Sequence, residues 1–239
     1  LNLRKNNKLY HSPSFETISA FGPHAALPHY RVTKNSNLSF KKNSIYLVDS
    51  GAQYKDGTTD ITRTIIIGSP TKEQIDRFTR VLKGHIAIAQ AKFPKNILGS
   101  VLDPIARKSL QSINCDYDHG TGHGIGSFLS VHEGPQRIAK AAGQSNGFIK
   151  QGMIISNEPG FYKKNQYGIR IENLVLVSLD RKNKSKSLKF ETISWAPIDI
   201  DLIDLDLLNN KEKKWINNYH RLVFNHISPK INKKEKNWL

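Results

Sequence analysis

Residues 45–67 read IYLVDSGAQYKDGTTDITRTIII. The apolar runs at either end, 45–48 and 65–67, are strand-sized. Between them, Gly51 and Lys55-Asp56-Gly57 are turn chemistry, and Asp-Gly flanked by apolar runs is a strong hairpin signal. The stretch predicts a strand at 45–49 and a second, Thr- and Ile-rich strand at 58–67, paired antiparallel. Asp49 closes the first strand and Asp60 sits early in the second, so the turn brings two carboxylates back toward each other. A carboxylate within such strands is costly to bury unless it is paired or bound to a metal. Taken singly, each Asp also reads as an ordinary strand-end or turn residue.

Upstream, residues 1–14 read as irregular, and 15–33, with Gly22-Pro23 and Pro28, as loop and short strand. Downstream, Ser69-Pro70-Thr71 predicts a helix start, with Thr71 and Gln74 as a capping box. Ile75, Phe78, Leu82 and Ile86 recur at helical spacing and define one buried face, and Pro94 marks the end. A second helix is expected over about 101–113, with Ile105 and Leu110 inward. A Gly-rich segment at 119–126 leads to a short strand ending near His132 and a loop around Gly134-Pro135. Strands follow at 153–157 and 169–177. Trp215, Tyr219, Leu222 and Val223 form an amphipathic helical stripe that reads as core packing. Hairpin, two helices and further antiparallel strands add up to an α+β chain with helices on one side of a curved sheet.

The length of 239 residues suits one large domain or two small ones. No apolar run approaches the roughly 18 residues of a membrane span, so no membrane partner is expected. Cys115 is the sole cysteine. It cannot form a disulfide within the chain, reads as a passive thiol, and fits a reducing compartment. The formal charge of +16 invites a nucleic-acid or anionic-surface partner. Yet the basic residues are scattered, at 41–42, 163–164, 181–189, 211–214 and 233–236, and few aromatics interleave with them. A Lys- and Asn-rich surface is the better reading, and nucleic acid is disfavoured. The opening residues are polar and basic, without the apolar segment of a secretory signal. A start at Leu1 rather than Met raises the expectation of a missing upstream segment.

Further acidic and imidazole groups join the two aspartates. Glu158 follows the strand 153–157, and Glu172 lies among apolar residues in 169–177, where an unpartnered carboxylate would be a liability. His119-Gly-Thr-Gly-His123 sets imidazoles among glycines, which let the backbone approach a ligand or metal closely. His132 follows within Val-His-Glu-Gly-Pro. Asp49, Asp60, His123, Glu158 and Glu172 form an oxygen-rich set that suits Mn²⁺, Co²⁺, Fe²⁺ or Zn²⁺ and not a cysteine-type structural zinc. Four converging carboxylates repel one another without cations. Two divalent ions balance their charge, and at about 3.5–4 Å apart can hold a bridging hydroxide and polarise a carbonyl.

The strings LVDSGAQYKDGTTDITRT (47–64), HGTGHGIGSFLSVHEGP (119–135), ISNEPGFY (155–162) and YGIRIENLVLV (167–177) resemble the motifs of the pita-bread metallopeptidases (family M24). Within that family the likeness is greatest to the cytosolic type of Xaa-Pro aminopeptidase, also called aminopeptidase P. FETISAFGPHAALPHY (15–30) is similar to the segment preceding that group's first metal ligand. FETISWAPIDIDLIDLDLL (190–208) and WINNYH (215–220) are similar to its C-terminal extension. The resemblance implies a pita-bread catalytic domain over 1–195, short of the family's N-terminal part, and an extension over 196–239 packed on it. It implies two divalent ions, Mn²⁺ first and Zn²⁺ or Co²⁺ as substitutes. Asp49 would chelate one ion, Asp60 and Glu172 would bridge both, and His123 and Glu158 would complete the second. His29, His119, His132, Tyr162 and Arg170 match substrate-binding positions. His119 and His132 are expected to shuttle protons or steady an oxyanion, and Glu158 to accept a proton from the bridging water. The implied reaction removes the first residue of peptides with proline in second position. A cytoplasmic location and a homodimer of the full-length protein are implied as well.

Three alternatives stand beside this reading. Another pita-bread peptidase, of prolidase or methionine aminopeptidase type, would not be expected to carry HEGP, NEPGFY and the tail motif together. A non-catalytic binding module would be expected to lose metal ligands, and all five are present. An inactive fragment lacking its start would keep the residues but fail to turn over peptide.

Overall fold

A computed structural model of the chain describes residues 2–128, 131–140, 147–180 and 187–239. The first deciding strand is β3 (Ser44–Asp49), reached after α1 (Asn2–Lys5), β1 (Tyr10–Pro13) and β2 (Ile18–Phe21). The opening residues therefore form a short helix and a strand where irregular chain was expected. β1 pairs with β4 (Ala52–Tyr54), which turns through Lys55-Asp56 into β5 (Gly57–Thr58). The expected second hairpin strand is thus two strands, β5 and β6 (Thr62–Ile67). The break spans residues 59–61, where Thr59 turns back to bond Ala52 and Asp60 leaves the ladder. β3 and β6 still pair antiparallel, from Ser44↔Ile67 to Asp49↔Thr62, so the two aspartates stand together as expected.

Helix α2 (Lys72–Ala89) begins at Thr71 with the expected capping box to Gln74. Phe78, Leu82 and Ile86 are buried along one face, and Ile75 is half-buried. The helix ends at Ala89, before Pro94, which lies in β7 (Lys92–Pro94). β7 is an edge strand, where a missing N–H costs no ladder bond. After β8 (Ile97–Leu98) comes α3 (Gly99–Gln111). Leu110 is inward as expected, but Ile105 is 40% exposed, because α3 turns Leu102, Ala106 and Leu110 to the core.

The remaining strands are β9 (Gly122–Gly124), β10 (Glu133–Ile138), β11 (Phe148–Ile149), β12 (Ile154–Asn157), β13 (Gly160–Lys163), β14 (Tyr167–Arg170), β15 (Asn173–Leu179) and β16 (Ser187–Thr192). The strand expected to end near His132 falls partly on Leu129 and Ser130, outside the described residues. β10 begins only at Glu133, and Gly134-Pro135, expected in a loop, is a cis peptide within it. The expected strand 169–177 breaks between β14 and β15, at Ile171-Glu172. Of the basic stretch at 181–189, residues 181–186 also lie outside the described residues, as does Leu1. Helix α4 (Asn210–Ile227) buries Ile216, Tyr219 and Val223, the core-packing stripe expected, and α5 (Lys233–Trp238) follows.

All described strand pairings are antiparallel, and the largest sheet runs β10-β9-β12-β15-β16-β7. Alternation along its strands sorts the side chains by face. Ile155, Val175 and Val177 pack with Ile88 of α2 and with Leu102 and Ala106 of α3. Ser156, Glu158, Glu172 and Leu174 have the opposite phase. The helices therefore cover one face, and the acidic residues lie on the other. A second cluster joins Phe78, Val81 and Leu82 to Ile169 and Ile171, and to Ile198, Leu202, Ile216, Tyr219 and Val223 of the C-terminal segment.

Helices α2 and α3 cross closely at Gly84. A Cβ there would lie 2.2 Å from the Ala106 carbonyl oxygen. Gly84→Ala is therefore expected to destabilise the chain by about 1–3 kcal/mol through overpacking. Ile105→Ala, on the exposed face, should cost no more than about 0.5 kcal/mol. Urea unfolding of both variants checks the contrast, and equal midpoints would contradict this packing.

Candidate active site

One cavity of about 430 Å³ is lined by Asp49, Asp60, His123, Glu158 and Glu172. Two sheets deliver these groups. Asp49 ends β3, and Asp60 sits in the break before β6. Glu158 follows β12, and Glu172 occupies the break between β14 and β15. His123 is the middle residue of β9, which lies beside β12. That approach needs Gly122, since a Cβ at this position would lie 1.9 Å from the Ser156 carbonyl oxygen. The glycine expected to admit a ligand here admits a neighbouring strand, and so sets the imidazole against Glu158.

Burial is deep: 8% exposure for Asp49, 4% for Asp60 and 1% for Glu172. One oxygen or ring nitrogen each from Asp60, His123 and Glu172 come within 4.8 Å of one another. His123 Nε2 lies 3.5 Å from Asp60 Oδ2 and 3.3 Å from Glu158 Oε1. Burial pushes the Asp60 carboxyl up to about 9, and the charges of Asp49 and Glu158 push the same way. Glu172 is held well above the usual carboxylate range by burial and then by Asp60, Glu158 and Asp49. Glu158 is raised as well, chiefly by burial.

These groups fit divalent cations. His123 Nδ1 faces the Gly124 carbonyl at 3.0 Å, which a ring nitrogen satisfies only by donating. The neutral ring then presents its Nε2 lone pair to two carboxylate oxygens, and burial holds its pKa down, against protonation. Asp49 Oδ1 is buried with no hydrogen-bond partner among the described residues. An imidazole lone pair facing carboxylate oxygens, beside a buried carboxylate oxygen without a hydrogen bond, fits a cation site.

The other expected residues lie around this centre. His29, His119, His132 and Arg170 line the same cavity, and His29 and His132 are exposed to it. Tyr162 stands behind, bonded to His119 and Arg170. His119 Nδ1 must donate to the Gly120 carbonyl at 2.7 Å, so its Nε2 accepts from the Tyr162 hydroxyl at 2.8 Å. Burial lowers the pKa of His119, and of His132 together with the neighbouring His123. Arg170, expected to meet substrate, is 3% exposed and engaged with protein: Nη2 to Asp49 at 2.7 Å, Nη1 to Tyr162 at 2.8 Å, Nε to Thr62 at 3.2 Å. Thr62 passes a 2.7 Å hydrogen bond on to Glu172 Oε2.

Sequence reading missed the groups that brace the site from behind. His85 of α2 is fully buried, its Nδ1 facing the carbonyls of Asn157 and Ile171 at 3.1 and 3.2 Å. Its Nε2 accepts from Asn173 Nδ2 at 3.2 Å, and burial pushes its pKa down to about 3. Arg107 of α3 pairs with Asp103 and donates to the His119 carbonyl at 2.8 Å. Arg63 of β6 donates to the Glu172 carbonyl. A guanidinium within the Thr/Ile strand was a visible signal, by the same burial argument that singled out the aspartates.

The model of metallopeptidase family M24 matches residues 2–178, and that of the C-terminal region of peptidase M24 matches 186–239. The chain is 47% identical to a probable Xaa-Pro aminopeptidase P of Coprinopsis cinerea, over 99% of this chain and 39% of that protein. Identity to Xaa-Pro aminopeptidase 1 of Dictyostelium discoideum is 43%, over 99% and 38%. The crystal structure of X-prolyl aminopeptidase from Caenorhabditis elegans, described as a cytosolic enzyme with a di-nuclear active site, matches with a TM-score of 0.92 at 41% identity, over 99% of this chain and 39% of that one. Prolidase from Pyrococcus furiosus matches with a TM-score of 0.66 at 30% identity, over 78% and 51%. The chain spans about two fifths of the length of the curated relatives it matches. By sequence, and by the curled antiparallel sheet with its helices, the chain belongs to metallopeptidase family M24 and has the pita-bread fold.

Proposed function

We propose that this chain is the catalytic part of a metal-dependent Xaa-Pro aminopeptidase, which removes the first residue of peptides with proline second. The observation that carries this reading is the convergence of Asp49, Asp60, His123, Glu158 and Glu172 in one cavity rimmed by histidines. Identity of 41–47% over 99% of the chain to Xaa-Pro aminopeptidases, against 30% over 78% to a prolidase, supports the aminopeptidase reading over that of a prolidase. Retention of the whole ligand set argues against a non-catalytic binding module.

In this proposal Asp49 would hold one ion, Asp60 and Glu172 would serve both, and His123 and Glu158 would complete the second. When bound, two divalent ions supply Lewis-acid polarisation of the scissile carbonyl and a nucleophile at neutral pH. Mn²⁺ is proposed first, with Co²⁺ or Zn²⁺ able to substitute. Arg170 keeps Asp49 oriented. Glu158, placed beside His123 at the same centre, would accept a proton from the attacking water. His132 turns its imidazole toward the cavity to steady the oxyanion. Tyr162 donates to His119 Nε2 and so holds that imidazole as one neutral tautomer at the wall of the cavity, where it would meet substrate. His29, at the rim, contacts the substrate.

Residues 1–195 are proposed as the catalytic unit and 196–239 as its packed extension. A cytoplasmic setting is proposed from the single cysteine and the cytosolic relative, and no described helix is long and apolar enough to cross a membrane. A homodimer of the full-length protein remains part of the proposal, and nucleic acid does not.

The direct test is release of free arginine from Arg-Pro-Pro, with and without Mn²⁺ and with a chelator. Metal-dependent release is expected, and none from a metal-loaded chain would sink the activity. Asp60→Asn and Glu172→Gln should each lose bound metal and turnover together, whereas full activity in either would overturn the ligand set. His132→Ala should lower kcat by about 10²–10³ with metal content near normal; loss of the metal would make it a ligand instead. The metal-free chain should also respond to pH. Asp60 and Glu172 keep protons when folded that they release when unfolded, so this stabilisation is full below about pH 4 and fades as pH rises toward 9. The melting temperature of chelated protein should fall over that window, and Mn²⁺ should raise it more at pH 8 than at pH 5. A flat profile would contradict the raised carboxyls.

A further inference from the structure

Arg63 is 8% exposed, yet among the described residues its guanidinium meets no carboxylate as a hydrogen-bond partner. Nη1 donates to the carbonyl oxygens of Thr62 at 2.7 Å and Glu172 at 2.6 Å. Nη2 serves Asn173 Oδ1 at 2.8 Å, the Ala196 carbonyl at 2.9 Å and the Tyr219 hydroxyl at 2.8 Å. Nε donates to the Pro197 carbonyl at 2.8 Å. One planar fork therefore ties β6, the break that carries Glu172, the segment entering the C-terminal extension and helix α4. Its far end is held in turn. Tyr219 donates to the Ala196 carbonyl at 2.8 Å and stacks on Trp215, ring centroids 5.1 Å apart.

Glu172 is not in a strand. It stands in the break between β14 and β15, where regular ladder bonds do not dictate its backbone. Its N–H donates to the Thr62 carbonyl at 3.2 Å, and its carbonyl oxygen goes to Arg63. Thr62 Oγ1 holds its carboxylate. Peptide and side chain are thus fixed by two adjacent residues of β6, two and three positions beyond Asp60.

We propose that Arg63 is a positioning residue: it clamps the Glu172 peptide to the C-terminal segment at 196–219 and so sets where the Glu172 carboxylate stands in the metal site. This rests on the metal-site reading above. It gives the C-terminal extension a share in building the centre, beyond covering the core. A lysine would keep the charge but could not span carbonyls on both sides of the fork.

The test compares Arg63→Lys, Tyr219→Phe and Val223→Ala, the last a core variant on the same helix that leaves the fork intact. Mn²⁺ affinity is read by chelator competition, the ligand field by the Co²⁺ absorption spectrum, and stability by the melting temperature of chelated protein. Arg63→Lys should weaken metal binding about tenfold and alter the Co²⁺ spectrum. Tyr219→Phe, which removes one anchor, should weaken it several-fold and remains informative if Arg63→Lys does not fold. Val223→Ala should lower the melting temperature and leave affinity and spectrum unchanged. Wild-type affinity in Tyr219→Phe or in folded Arg63→Lys would overturn the proposal, as would an equal loss in Val223→Ala. A wild-type chain that binds neither ion would instead overturn the metal-site reading, and this inference with it.

Discussion

Four carboxylates, those of Asp49, Asp60, Glu158 and Glu172, converge at the bottom of one cavity, and the fold has to tolerate them there. Uncompensated, their charges would cost far more than the chain's marginal stability. Three devices limit that cost. Arg170 neutralises Asp49 directly. Protonation relieves Asp60 and Glu172, whose pKa values are driven upward by burial and by neighbouring carboxylates. The remaining lone pairs, on His123 Nε2 and Asp49 Oδ1, are left open to cations. Metal binding and stability are thereby coupled in one set of side chains.

The arrangement also explains where the strands break. A regular ladder would hold every residue of β5–β6 and β14–β15 to a strict alternation. Asp60 and Glu172 lie in the interruptions, where the backbone is held by specific partners. Glu172 takes its bonds from Thr62 and Arg63. Behind the sheet, His85, Asn157 and Asn173 form a neutral polar layer under the two glutamates. A charged His85 would place a further cation beside Arg63, and its lowered pKa keeps it neutral.

Much of this was legible in the chain itself. Paired aspartates around a turn, a Gly-spaced pair of histidines and glutamates within apolar strands identified one chemistry before any coordinates. The capping box at Thr71–Gln74 and the stripe through Tyr219 on α4 were equally plain, because they depend on local spacing. What escaped was long-range. Nothing near Ile105 in sequence says which face of α3 meets the sheet, and Pro94 could not announce that it lies on an edge strand rather than ending a helix. The strand breaks at 59–61 and 171–172 look like continuous β sequence, since their cause is a site assembled from both. Arg63 and His85 brace groups more than 70 residues away in sequence.

In the proposed site these carboxylates are assembled for two cations and carry protons in their absence. Calorimetric titration of the chelated chain with Mn²⁺ near pH 7, in two buffers of different ionisation enthalpy, counts both ions and protons. Two ions bound per chain, with net proton release, is the result expected. Binding of fewer ions, or of two with no proton released, would contradict the account.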